Sequence, residues 1–162
     1  MSSPEPLLDI EALTVRHESK ARSVEALSDV SLTVAAGEWL GLIGESGSGK
    51  STLLRAILRM LPPTSHQTGR ICFQGRDVAM LDAAAMTRLR GGLVGFMPQQ
   101  AVAALNPVRT VGSQVAELFR LRLGLDAAAA RLRSLELLER FHLSDLSRVY
   151  GAYPHQLSGG MC

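Results

Sequence analysis

Lysine is almost missing from this sequence. Of 17 basic residues, only Lys20 and Lys50 are lysines, and the rest are arginine. No sign of charge dominates either: 17 basic against 15 acidic residues leave a net charge of +2. That is too small a surplus for the phosphate-neutralising footprint of a nucleic-acid binder. Cysteine is scarce, with Cys72 in an apolar stretch and Cys162 at the last position. Such a pair builds neither a disulfide framework nor a metal site, and it suits a reduced compartment. No apolar run approaches the ~20 residues of a membrane-spanning helix, since Leu53 to Leu61 is interrupted by Arg55 and Arg59. The start, MSSPEPLLDIEAL, is acidic, unlike the basic opening of a secretory leader. Any work at a membrane is therefore expected to run through a partner. Internal repeats are also missing.

What is present fits one soluble globular domain: 162 residues, 46% hydrophobic and 20% charged. Leu7 to Val15 has strand composition, residues 17–25 read as a polar loop, and Leu27 to Val34 alternates as a second strand. Trp39 to Ile43 is short and nearly all apolar, the pattern of a strand buried on both faces of a parallel sheet. From Ser51 to Leu61 the apolar residues recur at helical spacing, and Pro62-Pro63 is expected to end that helix. Gly69 to Gly75 predicts another strand, Asp82 an N-cap for a helix over 83–90, and Leu93 to Met97 a last short strand closed by Pro98. Beyond it, residues 110–123 and 127–142 have helical composition. The expected division is a mixed α/β part over 1–98 and a mainly helical part over 99–162.

Between the apolar strand and the helix stands Gly44-Glu45-Ser46-Gly47-Ser48-Gly49-Lys50-Ser51. It matches G-x-x-x-x-G-K-[ST] at every fixed position, in the strand-then-helix context that a phosphate-binding loop requires. Glycines let the backbone curl so that successive N–H groups point inward. Together with the helix start they cradle β- and γ-phosphates. Lys50 adds a full charge on a flexible stem, and the Ser51 hydroxyl stands where Mg²⁺ is ligated, with Thr52 beside it. A bland Gly/Ser-rich surface loop is the alternative.

At the far end the sequence reads Tyr153-Pro154-His155-Gln156-Leu157-Ser158-Gly159-Gly160-Met161. LSGGM resembles the signature of ABC ATPases, and Phe96-Met97-Pro98-Gln99 resembles their Q-loop. Leu105-Asn106-Pro107, Thr110-Val111-Gly112 and the YPHQ stretch are similar to the oligopeptide, dipeptide and nickel branch of ABC importers, from about Leu7 onward. The resemblance implies a fold, an α/β P-loop NTPase of ABC type: an antiparallel β part, a P-loop core, a helical subdomain, and the C-terminal half of the core outside these residues. It implies ATP and Mg²⁺ as ligands, with Gly44 to Thr52 on the nucleotide and Lys50 and Gln99 in catalysis. Ser51 and Gln99 would serve Mg²⁺, and Ser158, Gly159 and Gly160 would meet the γ-phosphate on a second subunit's P-loop. It also implies partners: transmembrane permease subunits, a second ATP-binding subunit (a copy or a paralogue) and, indirectly, an extracytoplasmic solute-binding protein. The place would be peripheral, on the cytoplasmic face of the inner (plasma) membrane, with no nucleic acid involved.

Three departures qualify that expectation. Where the family stacks an aromatic ring on adenine, this chain has His17, whose smaller imidazole either stacks or serves as an exposed loop residue. Gln99 is followed by Gln100 and Ala101 rather than an acid and a proline. After the signature the sequence stops at Cys162, so the Asp-Glu strand end and the switch histidine of the family do not occur in it, and the chain alone is expected not to hydrolyse ATP. Val78 to Asp82 imitates the acidic strand end, yet Asp82 is better placed as a helix cap. Three alternatives follow: a non-hydrolysing nucleotide-binding fragment, a small-molecule kinase, and an ABC protein of DNA repair. Binding without turnover would mark the first, and stimulation by a phosphoryl acceptor the second. The LNP and YPHQ features and the charge balance speak against the third.

Overall fold

The computed structural model describes residues 5–19, 22–99 and 101–161. The chain divides into two compact units, Met1–Gly95 and Phe96–Cys162. The first is built on strands β1 (Leu8–Glu18), β2 (Ser23–Val34), β3 (Ser65–Phe73) and β4 (Arg76–Asp77). They form one antiparallel sheet in the order β2-β1-β3-β4. Helix α1 (Lys50–Ile57) presses Leu53 and Ala56 onto Ile10, Leu13, Val15 and Leu27 of the sheet, all of them buried. Burying a leucine such as Leu53 contributes about 2 kcal/mol. Helix α2 (Ala83–Arg88) and the wide turn Leu89–Leu93 close the same core through Met86 and Leu89.

The sheet bends where β1 and β2 carry extra residues. Ala12 (φ 47) and Asp29 (φ 50) are in the left-handed region. Their N–H groups leave the ladder and donate to the Ser31 and Thr14 hydroxyls at 2.9 and 3.0 Å. Opposite the first bulge, Gly69 (φ +87) lies so close to the Ala12 carbonyl that a Cβ would collide with it. Glu11 faces Arg70 across the β1–β3 pair and bonds it at 2.7 Å. That hydrogen bond, and then the charge of Arg70, hold the Glu11 carboxyl below its ordinary range.

Four expectations are corrected at the level of elements. Residues 17–18 and 23–25 belong to strands rather than to a loop, because β1 runs on to Glu18 and β2 begins at Ser23. The polar residues there pair across strands, Arg16 with Glu25 and Glu18 with His66, so polarity does not mark a turn. β3 likewise begins at Ser65 rather than Gly69. The helix after the glycine loop stops at Ile57, short of Pro62. Arg59 turns left-handed (φ 50), and Arg90 takes the freed carbonyls of Leu58 and Arg59 at 2.8 Å each. Finally, Trp39 to Ile43 and Leu93 to Met97 are not strands in this structure. Trp39 is 98% and Ile43 97% exposed, and an apolar segment becomes a strand only where a neighbour satisfies its backbone.

The second unit is helical: α3 (Ala101–Ala104), α4 (Val111–Leu123), α5 (Ala127–Arg140), α6 (Leu146–Gly151) and a tight turn over Pro154–Gln156. Local chemistry sets the boundaries. Thr110, Asp126 and Asp145 accept the N–H groups that open α4, α5 and α6, and Gly124 (φ 64) ends α4. Gly112 packs flat on the Tyr150 ring, with no room for a Cβ, while Arg131 lies 4.7 Å from the centre of that ring. Among the described residues no helix is long and apolar enough to cross a membrane.

Two outcomes are expected. Gly112→Ala forces α4 off Tyr150 and destabilises the second unit by about 1–3 kcal/mol, measurable by urea unfolding. Arg70→Ala lets the Glu11 carboxyl rise back toward its ordinary value, a change that NMR titration reads directly. The pairing supports the fold at neutral pH, and that support fades as acid protonates Glu11 below its ordinary value.

Candidate functional site

Among the described residues four helices begin with a side-chain cap, and the one behind the glycine loop does not. Asp82, Thr110, Asp126 and Asp145 each accept a backbone N–H for α2, α4, α5 and α6. Asp82 thus caps a helix, as its position suggested. The N-cap of α1 is Gly49 (φ 91), which has no side chain to offer, and no acidic residue stands in the first turn. The N–H groups at the head of α1 therefore meet the loop with their partial positive charge uncompensated, an arrangement that suits an anion.

Packing holds that helix start in place. A Cβ on Gly49 would strike the Ala26 carbonyl, and would lie 2.7 Å from the Leu27 side chain, so the loop is seated directly on β2. Gly47 (φ +86) supplies the other left-handed residue, and the Ser48 N–H donates to the Glu45 carbonyl at 3.2 Å. Between these points the loop curls around the Lys50 ammonium. Lys50 Nζ donates to the carbonyls of Gly44 and Glu45, both at 2.6 Å, and to Ser48 Oγ at 3.1 Å. A Cβ on Gly44 would come within 2.7 Å of Ser48 Oγ. Ser51 is exposed at the head of α1, and Thr52 beside it is half-buried. The donor set is a curled backbone, one ammonium and one free-standing hydroxyl, which fits a polyphosphate with its metal ion. Among the described residues no cluster of His, Cys, Asp or Glu competes as a metal site.

His17 stands in the sheet, within β1, rather than in a loop. On β1 it lies two residues beyond Val15, on the same face, and Val15 pairs with the Leu27 that touches Gly49. Its ring is half-buried, and Nδ1 lies 2.8 Å from Ser65 Oγ.

The remaining motif residues belong to the second unit. Gln99 is exposed just ahead of α3. Ser158, Gly159 and Gly160 form an exposed turn closed by the Met161 N–H on the Ser158 carbonyl at 3.0 Å. These glycines differ from those of the first loop. Nothing lies within 4 Å of a Cβ built on Gly159 or Gly160, and neither has a left-handed φ. Packing within the chain thus explains glycine at 49, and backbone geometry explains it at 47, but neither explains it at 159 and 160. Their bareness leaves room for something else to come close. Sequence reasoning missed two features here: the capture of Lys50 by the loop's own carbonyls, and the stacked rings of Tyr153 and His155 ahead of the turn.

Comparison with known proteins bears out the family resemblance. The family described as ABC transporter matches residues 27–162. Over 166 residues the chain is 40% identical to a protein of Brucella abortus (strain 2308) provisionally named a peptide import ATP-binding protein, covering 98% of this chain and 49% of that one. A protein of Brucella suis biovar 1 with the same provisional name is 38% identical over 156 residues, or 96% of this chain and 47% of that one. The chain thus spans about half the length of the curated relatives it matches. Among solved structures it resembles the ATP-binding cassette MJ0796, seen as a dimer bound to ADP and Pi. The TM-score is 0.79 at 29% identity, over 95% of this chain and 64% of that one. A bacterial Atm1-family ABC exporter with ATP bound gives 0.67 at 27% identity, over 99% of this chain and 26% of that one.

Glycine substitutions separate the two loops. Gly49→Ala is expected to cost about 1–3 kcal/mol of stability, because it combines a left-handed φ with a backbone collision. Gly159→Ala is expected to change stability by no more than about 0.5 kcal/mol. Urea unfolding of both variants checks the contrast.

Proposed function

The chain belongs to the ABC transporter family, and we propose that it is the nucleotide-holding part of an ATP-binding subunit that drives import of peptides, nickel or a similar solute. One observation carries this reading: the uncapped head of α1, seated on β2 by Gly49 and curled around Lys50. The loop amides and the Lys50 ammonium would bind the β- and γ-phosphates of ATP. Lys50 would exchange its two carbonyl partners for phosphate oxygens, a stronger charge-assisted bond. Mg²⁺, when bound, would offset phosphate charge, and the Ser51 hydroxyl and Gln99 would hold it. His17 would lie under the adenine, and Gln99 would orient the attacking water. Catalysis in such a site is positioning and electrostatic neutralisation rather than covalent chemistry.

The bare turn at Ser158, Gly159 and Gly160 supports a head-to-tail pair of ATP-binding subunits. In that pair it would close on the γ-phosphate held by its partner, where a Cβ at 159 or 160 would obstruct the approach. The pair would sit against transmembrane permease subunits on the cytoplasmic face of the membrane, and an extracytoplasmic solute-binding protein would act on it only indirectly, through those subunits. The 162 residues carry neither the Asp-Glu strand end nor the switch histidine of the family. We therefore expect them to bind MgATP without completing its hydrolysis.

Equilibrium dialysis with MgATP tests the cradle. Lys50→Ala is expected to weaken binding by about 10- to 150-fold, the worth of one charge-assisted bond. Equal affinity of the two proteins would rule the cradle out. Phosphate release at saturating MgATP tests the second expectation. These 162 residues should turn over no faster than their Lys50→Ala variant, whereas the full-length subunit should be clearly faster than its own.

A further inference from the structure

Two aromatic residues, Tyr153 and His155, stand exposed ahead of the bare turn. Tyr153 and His155 stack with centroids 5.8 Å apart and planes 14° from parallel. Both side chains are exposed, Tyr153 at 39%. A tyrosine ring is ordinarily half of a buried contact, yet here the chain leaves more than a third of Tyr153 uncovered. The intervening Pro154 is fully buried, and Ala152, whose carbonyl accepts the Val111 N–H at 2.8 Å, is nearly so. The Tyr153 N–H donates to Gln156 Oε1 at 2.8 Å, and the Gln156 N–H returns to the Tyr153 carbonyl at 2.9 Å. The rings are thus set on a braced backbone and displayed to solvent.

We infer that Tyr153 and His155 form an aromatic step that packs against the base of the nucleotide held by the second subunit's P-loop. The inference rests on the head-to-tail pairing proposed above. Tyr153 lies five residues before Ser158, so the rings are at most ~18 Å of chain from the turn that would meet the γ-phosphate. A nucleotide lying with its phosphates at that turn carries its base away from the turn, and a ring within that reach can meet it. Every base has a π-face, so stacking suits a nucleotide whatever else it touches. The need for such a surface is also visible: His17 offers a small, half-buried ring already engaged with Ser65 at 2.8 Å.

Two experiments on the full-length ATPase pair test this. In the first, a mixed pair has Lys50→Ala in one subunit only and is photolabelled with 8-azido-ATP, whose reactive group is on the base. Adducts are expected within residues 153–157 of the Lys50→Ala subunit. Adducts confined to the neighbourhood of the intact P-loop would overturn the aromatic step while leaving nucleotide binding in place. No adduct on either subunit would remove both readings. In the second, Tyr153→Ala combined with His155→Ala is expected to weaken ATP binding by about 5- to 150-fold, and to leave the affinity for inorganic tripolyphosphate, which has no base, unchanged. Equal losses for both probes would mean that the rings only shape the turn, and would overturn the inference. Tyr153→Phe, which keeps the ring, should retain wild-type affinity for ATP.

Discussion

The seat of Gly49 on β2 is the constraint from which the rest of the candidate site follows. A helix start can hold an anion only if its N–H groups are left uncapped and its position is fixed by something other than the anion. Here the missing side chain at Gly49 satisfies both conditions: it offers no cap, and it allows direct backbone contact with Ala26 and Leu27. The other end of α1 is held as firmly, because Arg90 takes the carbonyls of Leu58 and Arg59. Between these ends Leu53 and Ala56 bury against the sheet. The glycine loop thus hangs from a rigid strut, and Lys50 keeps it curled by bonding its carbonyls.

The second unit reaches rigidity by different means. Side-chain caps begin its helices, and Gly112 lets α4 lie against Tyr150, whose ring also lies close to Arg131. Buried Ser134 answers its own polarity through the Ala130 carbonyl at 2.6 Å. The consequence is a firm platform under an exposed turn. Glycine in that turn is unneeded by the platform, and the rings beside it stay partly exposed, which leaves both open to what approaches from outside.

Much of this was legible in the chain. Helices α4 and α5 follow from their composition, and their limits follow from Thr110, Gly124 and Asp126, because capping is local chemistry between neighbours in sequence. The glycine loop was legible for the same reason: it is one continuous segment whose function needs a set order of residues. Strand limits were harder to read. Arg16, His17 and Glu18 have loop-like polarity, and only the partners that face them across the sheet, Glu25, Ser65 and His66, make them strand. The apolar segment at 39–43 shows the opposite error, since apolar composition suggests a strand where the described residues provide none to pair with it.

By itself the sequence determined the family, the place of the glycine loop and the helical character of the second unit, all of which rest on local order and spacing. Tertiary structure decided which glycines the fold requires, where β1 and β3 end and begin, how Lys50 is held, and that the Tyr153 and His155 rings lie near parallel, with centroids 5.8 Å apart. Those outcomes depend on contacts between residues far apart in the chain, or on backbone turns that bring near neighbours together, and residue order does not reveal such distances.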